Sequence, residues 1–330
     1  MTFVLEAVRV HRGSALLLHF GPWGDVPSRI LIDCGADGSY QDCLRPRLEQ
    51  LGSPGNDLPL CMVLIGQMDG PHLGEAKALF DDIESGQSPL RPEAIWLNVT
   101  SGEQDDPARQ IRERAAALGL AINPPFDPPE IRADTNAIAQ GHGLSLEVLA
   151  PFESPNNRAE AAPIVLARKG DQTMLIAGNA PGPRIVNALV VAGYLDQSEA
   201  YPPGDCPATD KAETKPVDDP FHVNLMAITQ QEAAGRLTTG FFRRVTADSY
   251  LFSGNTTDGN PDVTTLRAIA EARGEDEFNL YFTITANEKG ASPSKRAVLD
   301  WVENEMPDGC VALFRDDAPG RYATSVELPA

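Results

Sequence analysis

Hydrophobic and polar positions alternate over Phe3–Val10, and Ala15–Phe20 is a short apolar run followed by turn residues at Gly21–Pro27. Period-two alternation and short apolar runs bounded by Gly and Pro are strand signatures. Arg29–Asp33 reads as a third strand that stops at Cys34-Gly35. Over Tyr40–Leu51 the period changes, because Leu44, Leu48 and Leu51 fall at i, i+4 and i+7, the spacing of one helical face. The same reasoning predicts strands at Leu60–Ile65 and Ala94–Asn98, with helices at Gly74–Ile83 and Asp106–Leu118.

Beyond a Pro-rich stretch, Asn123–Pro129, strands are predicted at Leu144–Leu149, Ile164–Arg168 and Thr173–Ala177, the last two joined by a turn at Lys169–Gln172. A helix follows at Gly182–Ala192. Gln197–Pro220 mixes five prolines with acidic residues and reads as an exposed loop inside one domain, residues 1–330, and not as a boundary. The remainder alternates: strand Val223–Ile228, helix Thr238–Val245, strand Ser249–Ser253, helix Asp262–Ala272, strand Phe278–Thr285, helix Lys295–Glu305 and strand Cys310–Arg315. Two strand-rich halves, each followed by helices, fit an α/β fold built as a four-layer αββα sandwich.

Composition narrows the function. Lys and Arg total 27 against 47 Asp and Glu, a net charge of -20, which disfavours nucleic acid and anionic membrane as partners. No apolar run approaches the ~20 residues of a transmembrane helix, and Met1–Val10, with Glu6 and Arg9, lacks the pattern of a signal peptide. Five scattered cysteines (Cys34, Cys43, Cys61, Cys206 and Cys310) without C-x-x-C spacing suit reduced thiols in the cytoplasm. The G-x-S-x-G, G-x-x-x-x-G-K-[ST] and G-x-G-x-x-G motifs are missing.

The decisive segment is a strand, Val63–Ile65, that runs into Gly66-Gln67-Met68-Asp69-Gly70-Pro71-His72-Leu73-Gly74 and then a helix. This layout resembles the metallo-β-lactamase superfamily, in which a strand ends in a Thr-His-x-His-x-Asp-His motif. Ile30–Gly35 resembles the family's LLIDxG strand and turn, and Arg45-Pro46-Arg47-Leu48 the helix after it. Met174–Ala180 resembles the LLTGDA strand, and Ala227–Ala233 stands where a branch of the family has KVPHHGS. Leu251–Asn255, with Gly259-Asn260-Pro261-Asp262, resembles that branch's late SxxGxxGHP element.

The resemblance implies a metallo-β-lactamase-like αββα sandwich and, position by position, a dismantled metal site. The first two motif histidines correspond to Gln67 and Asp69, the motif aspartate to Pro71, and the last histidine to His72. The bridging aspartate is Asn179, the late histidine pair is Gln230 and Gln231, and Asp33 is the family residue near the metals. Zinc sites use carboxylate, imidazole or thiolate ligands, three or four to a metal, and amide oxygens are poor substitutes.

Structural roles compete at each position: His72 as a capping or hydrogen-bonding residue, Asp69 as the N-cap of the following helix, Asp33 as a cap on the Gly35 turn. His142 reads as a turn residue; His11, His19 and His222 lie beside or within strands without ligand spacing, and Trp23, Trp96 and Trp301 read as packing residues. The expectation is a pseudoenzyme without a cofactor. It would act as an interaction or regulatory subunit, with a protein partner or another copy, and present the 197–220 loop as a contact surface. Two other expectations stand beside it. One is a hydrolase with a rebuilt site, a zinc or other divalent metal held by Asp69, His72 and Asp33 or His142. The other is a small-molecule sensor that uses a polar, metal-free cleft.

Overall fold

The structure is a computed structural model that describes residues 2–22, 25–52, 58–66, 70–97, 107–123, 130–132, 143–149, 163–201, 219–229, 237–254, 261–287 and 292–329. The first sheet contains β1 (Thr2–Val8), β2 (Leu16–Gly21), β3 (Ser28–Ile32), β4 (Leu58–Ile65), β5 (Leu90–Leu97), β6 (Ala121–Asn123) and β15 (Ala323–Glu327), in the order β15-β1-β2-β3-β4-β5-β6. The second contains β7 (Glu130–Arg132), β8 (Leu144–Val148), β9 (Val165–Lys169), β10 (Gln172–Ile176), β11 (Phe221–Ile228), β12 (Val245–Phe252), β13 (Phe278–Phe282) and β14 (Cys310–Phe314), in the order β14-β13-β12-β11-β10-β9-β8-β7. The strands β3 to β6 run parallel, as do β10 to β14.

Alternation along each strand sends side chains to two different cores. Phe3, Leu5 and Ala7 of β1 meet Leu146, Ala167, Met174 and Leu225 of the second sheet between the sheets. On the outer face of the first sheet, Leu31, Val63 and Ile95 pack under α1 (Arg45–Leu51), α2 (Gly70–Glu84) and α3 (Pro107–Ala117). On the outer face of the second, Leu175, Tyr250 and Leu280 pack under α4 (Gly182–Val191), α5 (Thr239–Arg244), α6 (Val263–Arg273) and α7 (Pro293–Asn304). Helix, sheet, sheet, helix: the expected four-layer αββα sandwich is present. Trp96 lies in the inter-sheet core, and Trp301, on α7, lies in the outer core of the second sheet, both as packing residues; Trp23 lies outside the described residues.

Helix starts follow capping chemistry. The side chains of Thr238, Asp262 and Ser292 accept from the N–H groups of Phe241, Thr265 and Lys295. Departures from the pattern have identifiable causes. The helix expected from Tyr40 begins with a single turn of π-type hydrogen bonding, Tyr40–Leu44, before α1. That turn is held by Glu75, whose carboxylate accepts from Tyr40 N–H at 2.6 Å and from Gly38 N–H at 2.8 Å. The strand expected from Ser249 begins at Val245, directly after α5, and β13 stops at Phe282, short of Thr285.

The segment 197–220 is anchored at its start. Glu199 pairs with Arg244 at 2.9 Å, Tyr201 is buried, and Asn187 brackets the Tyr201 backbone from both sides, at 2.7 and 3.1 Å. Gln197, Ser198 and Ala200 are exposed as expected, and residues 202–218 lie outside the described residues. Among the described residues no helix is long and apolar enough to cross a membrane. Cys34, Cys43, Cys61 and Cys310 are free thiols.

Candidate functional site

Gly66, which follows β4, packs against Pro163, which precedes β9: a Cβ at Gly66 would lie 2.7 Å from Pro163 Cδ. Because β9 is antiparallel to β10, the parallel strands of both sheets end at this same edge of the sandwich. Parallel α/β sheets commonly gather functional groups at the carboxyl ends of their strands.

Asp33 stands at the end of β3, buried and with φ 56, a left-handed conformation that Asp tolerates better than most residues. Its Oδ1 accepts from Gly66 N–H at 2.7 Å, and its own N–H donates to Leu64 O at 2.9 Å. Asp33 thus ties the end of β3 to the end of β4. In the turn that follows, Gly35 N–H donates to Ser14 O. Next along the chain, the Cys34 thiol is pushed up by burial, with the Asp33 and Glu75 charges adding to it.

His72 sits inside the first turn of α2, because that helix starts at Gly70 and not at Gly74 as the pattern predicts. It is therefore a buried residue of the helix itself. Its imidazole lies against Gly13, where a Cβ would come 2.5 Å from His72 Nε2. Glycine at 13 (φ 78) both turns the chain and makes room for the ring.

Asn179 follows β10, is 2% exposed, and has an Oδ1 without a hydrogen-bond partner among the described residues. The neighbouring carbonyl, Gly178 O, accepts from Thr229 Oγ1 at 2.6 Å, which joins the ends of β10 and β11. Thr283 Oγ1, which accepts from Gly254 N–H at 3.0 Å, does the same for β12 and β13.

The structure thus brings Asp33, His72 and Asn179 to one edge. Gln67, Asp69, Gln230, Gln231 and His142 lie outside the described residues. The other histidines have local partners. His11 Nε2 is 3.0 Å from Asp42, His19 Nε2 is 3.5 Å from Glu6, and His222 lies between Thr246 and Asp248.

Among the described residues at this edge, the donors do not fit a catalytic metal. One oxygen of Asp33 already serves a backbone N–H, Asn179 offers only an amide, and Pro71 offers no side-chain ligand. Among the described residues no three His, Cys, Asp or Glu side chains are gathered to hold a metal ion.

No family model matches the sequence, and no curated protein matches it. Solved structures do resemble it in shape. YhfI, a metallo-β-lactamase fold protein from Bacillus subtilis, aligns over 99% of this chain and 100% of its own at 10% identity and TM-score 0.44. CmlA, a diiron β-hydroxylase from Streptomyces venezuelae, aligns over 99% of this chain and 54% of its own at 12% identity and TM-score 0.44. A diphosphatase of the PhnP family aligns over 100% and 99% at 9% identity and TM-score 0.39. At such identities and scores the likeness carries nothing about chemistry, and the fold rests on the strand orders and the three cores described above. The fold is the four-layer αββα sandwich that the sequence resemblance implied.

Proposed function

We propose that this metallo-β-lactamase-like chain is a catalytically inactive member of its fold that acts through contacts, as an interaction or regulatory subunit of a protein assembly. One observation carries the reading: ligand positions are replaced in three separate segments, at Gln67-Asp69-Pro71, at Asn179 and at Gln230-Gln231. The scaffold around them is kept, with Ile32, Leu64, Ile176 and Ile228 buried just before each loop. A single lost ligand can be compensated by a neighbour, whereas coordinated replacement removes the charge a divalent metal needs. Asp33, the carboxylate retained in the β3 turn, supports the reading because it works as a backbone brace. The proposed partner is a protein, either a second copy or a different subunit, and the proposed setting is the reducing cytoplasm, in keeping with the free thiols.

The test has two arms. A panel of phosphodiester, carboxyl-ester and lactone substrates, each with zinc, iron or manganese added, is expected to show no turnover that His72→Ala abolishes. Turnover lost in that variant overturns the proposal in favour of a rebuilt metal site. Reciprocal co-purification at fixed stoichiometry is the expected positive result, while a chain that is monomeric and alone in every preparation contradicts the subunit role.

A further inference from the structure

A cavity of about 380 Å³ opens between the end of β1, the π-type turn and the loop after β14. Roughly 300–1,000 Å³ is the usual range for small-molecule sites. Three guanidinium groups, Arg9, Arg315 and Arg321, line this cavity in a chain whose net charge is -20. Two carboxylates also line it, Asp42 and Asp317, and Asp42 is engaged by His11 Nε2 at 3.0 Å.

The walls are fixed before any ligand arrives. Arg9 N–H donates to Tyr322 O at 2.8 Å, and Gln50 Nε2 donates to Gly320 O at 2.7 Å. Arg315 Nε donates to Thr283 O at 2.8 Å, and its Nη1 donates to Asp316 O and Arg321 O. The Arg315 guanidinium is thus held by carbonyls, Arg321 Nε lies 3.6 Å from the exposed Asp316 Oδ2, and the forked donors of guanidinium groups suit phosphate and carboxylate oxygens.

Cys43 lies in the same cavity, and its Sγ is 4.0 Å from His11 Nε2. A Cys–His nucleophile does not fit, because the one imidazole nitrogen that faces the thiol also faces Asp42. Burial raises the Cys43 thiol, so the group stays neutral beside the arginines and does not compete for them.

We propose that this cavity binds a small molecule through a phosphate or carboxylate group seated between Arg9, Arg315 and Arg321. The site is separate from the vestigial metal positions, and its test does not depend on whether those positions are inactive.

Cys43 supplies the probe. The intact protein is treated with iodoacetamide in chloride, inorganic phosphate, citrate or acetate at matched ionic strength, and modification of Cys43 is read by peptide mass spectrometry. Phosphate or citrate is expected to slow that modification saturably, by about threefold or more, and to raise the melting temperature over the same concentrations. Arg9→Gln and Arg321→Gln, each tested alone with Arg315 left in place to hold the loop, are expected to abolish both effects while folding normally in chloride. Protection by phosphate alone or by carboxylates alone decides which group is bound. Equal modification rates in all four salts, or protection that survives in both variants, overturns the proposal.

Discussion

At the scale of single residues, Gly13 and Glu6 carry the clearest consequences. Gly13→Ala adds a Cβ 2.5 Å from His72 Nε2 at φ 78, so it forces both strain and a displaced imidazole. The expected loss is about 1–3 kcal/mol in urea unfolding, with a larger loss than for alanine at Gly170, where φ is also positive but nothing lies within 4 Å. Glu6 is 3% exposed on the outer face of the first sheet, and Arg47 grips it with two hydrogen bonds of 2.7 and 2.8 Å. Burial opposes its charge, but the hydrogen bonds and charges of Arg47 and His19 outweigh burial and bring its pKa from 4.5 to about 2.

The folded value is lowered, so this contribution is fully present above pH 4.5 and is lost as pH falls through about 2. It amounts to about 3 kcal/mol. Urea midpoints at about pH 6 and about pH 3 are expected to differ by less in Glu6→Gln than in the parent protein. An unchanged difference would remove Glu6 as the source. At this scale the sequence reveals position better than role. A strand followed by Asp-Cys-Gly is enough to put Asp33 at a sheet edge, but its partner, Gly66, is 33 residues away, and only the folded register shows that Asp33 braces β4. Likewise, nothing around His72 announces Gly13.

At the scale of elements, β15 is the one whose role comes only from tertiary pairing. The sequence pattern marks no strand after Arg315, yet β15 pairs antiparallel with β1 from Val4↔Glu327 to Val8↔Ala323 and completes the first sheet. Five residues of mixed polarity signal little locally; only Val326 enters the inter-sheet core. Val326→Asp buries an uncompensated charge there and is expected to cost about 3 kcal/mol or more. Amide exchange is expected to rise in β1 while β10–β13 stay protected, and uniform loss of protection in both sheets would contradict this. The start of α2 at Gly70 has a similar lesson: Gly and Pro at its first two positions read as loop, although proline is well suited to the first turn of a helix. Long periodic helices and doubly buried strands were legible because each repeats its signal several times. β6 and β7, three residues each, repeat nothing.

At the scale of the whole molecule, the sandwich follows from the pattern of the two halves, and its three cores match that reading. At the shared strand-end edge, the retained apolar ends of β3, β4, β10 and β11 make the placement of Asp33, His72 and Asn179 at loop starts legible. The arginine-lined cavity was not predictable, because Arg9 and Arg321 are more than three hundred residues apart and are brought together by the β1–β15 pairing. Removing α7's buried anchor by Trp301→Ala, a change of about 3–5 kcal/mol, is expected to weaken the outer core of the second sheet and to leave anion protection of Cys43 intact. Loss of that protection in a folded Trp301→Ala protein would mean that the cavity depends on the far layer. The reading of this fold as metal-independent is tested most directly by elemental analysis of protein purified with neither added metal nor chelator. Zinc, iron and manganese are each predicted far below one atom per chain, with no rise in melting temperature when they are added. Near-stoichiometric metal, removed by a chelator together with thermal stability, would contradict it.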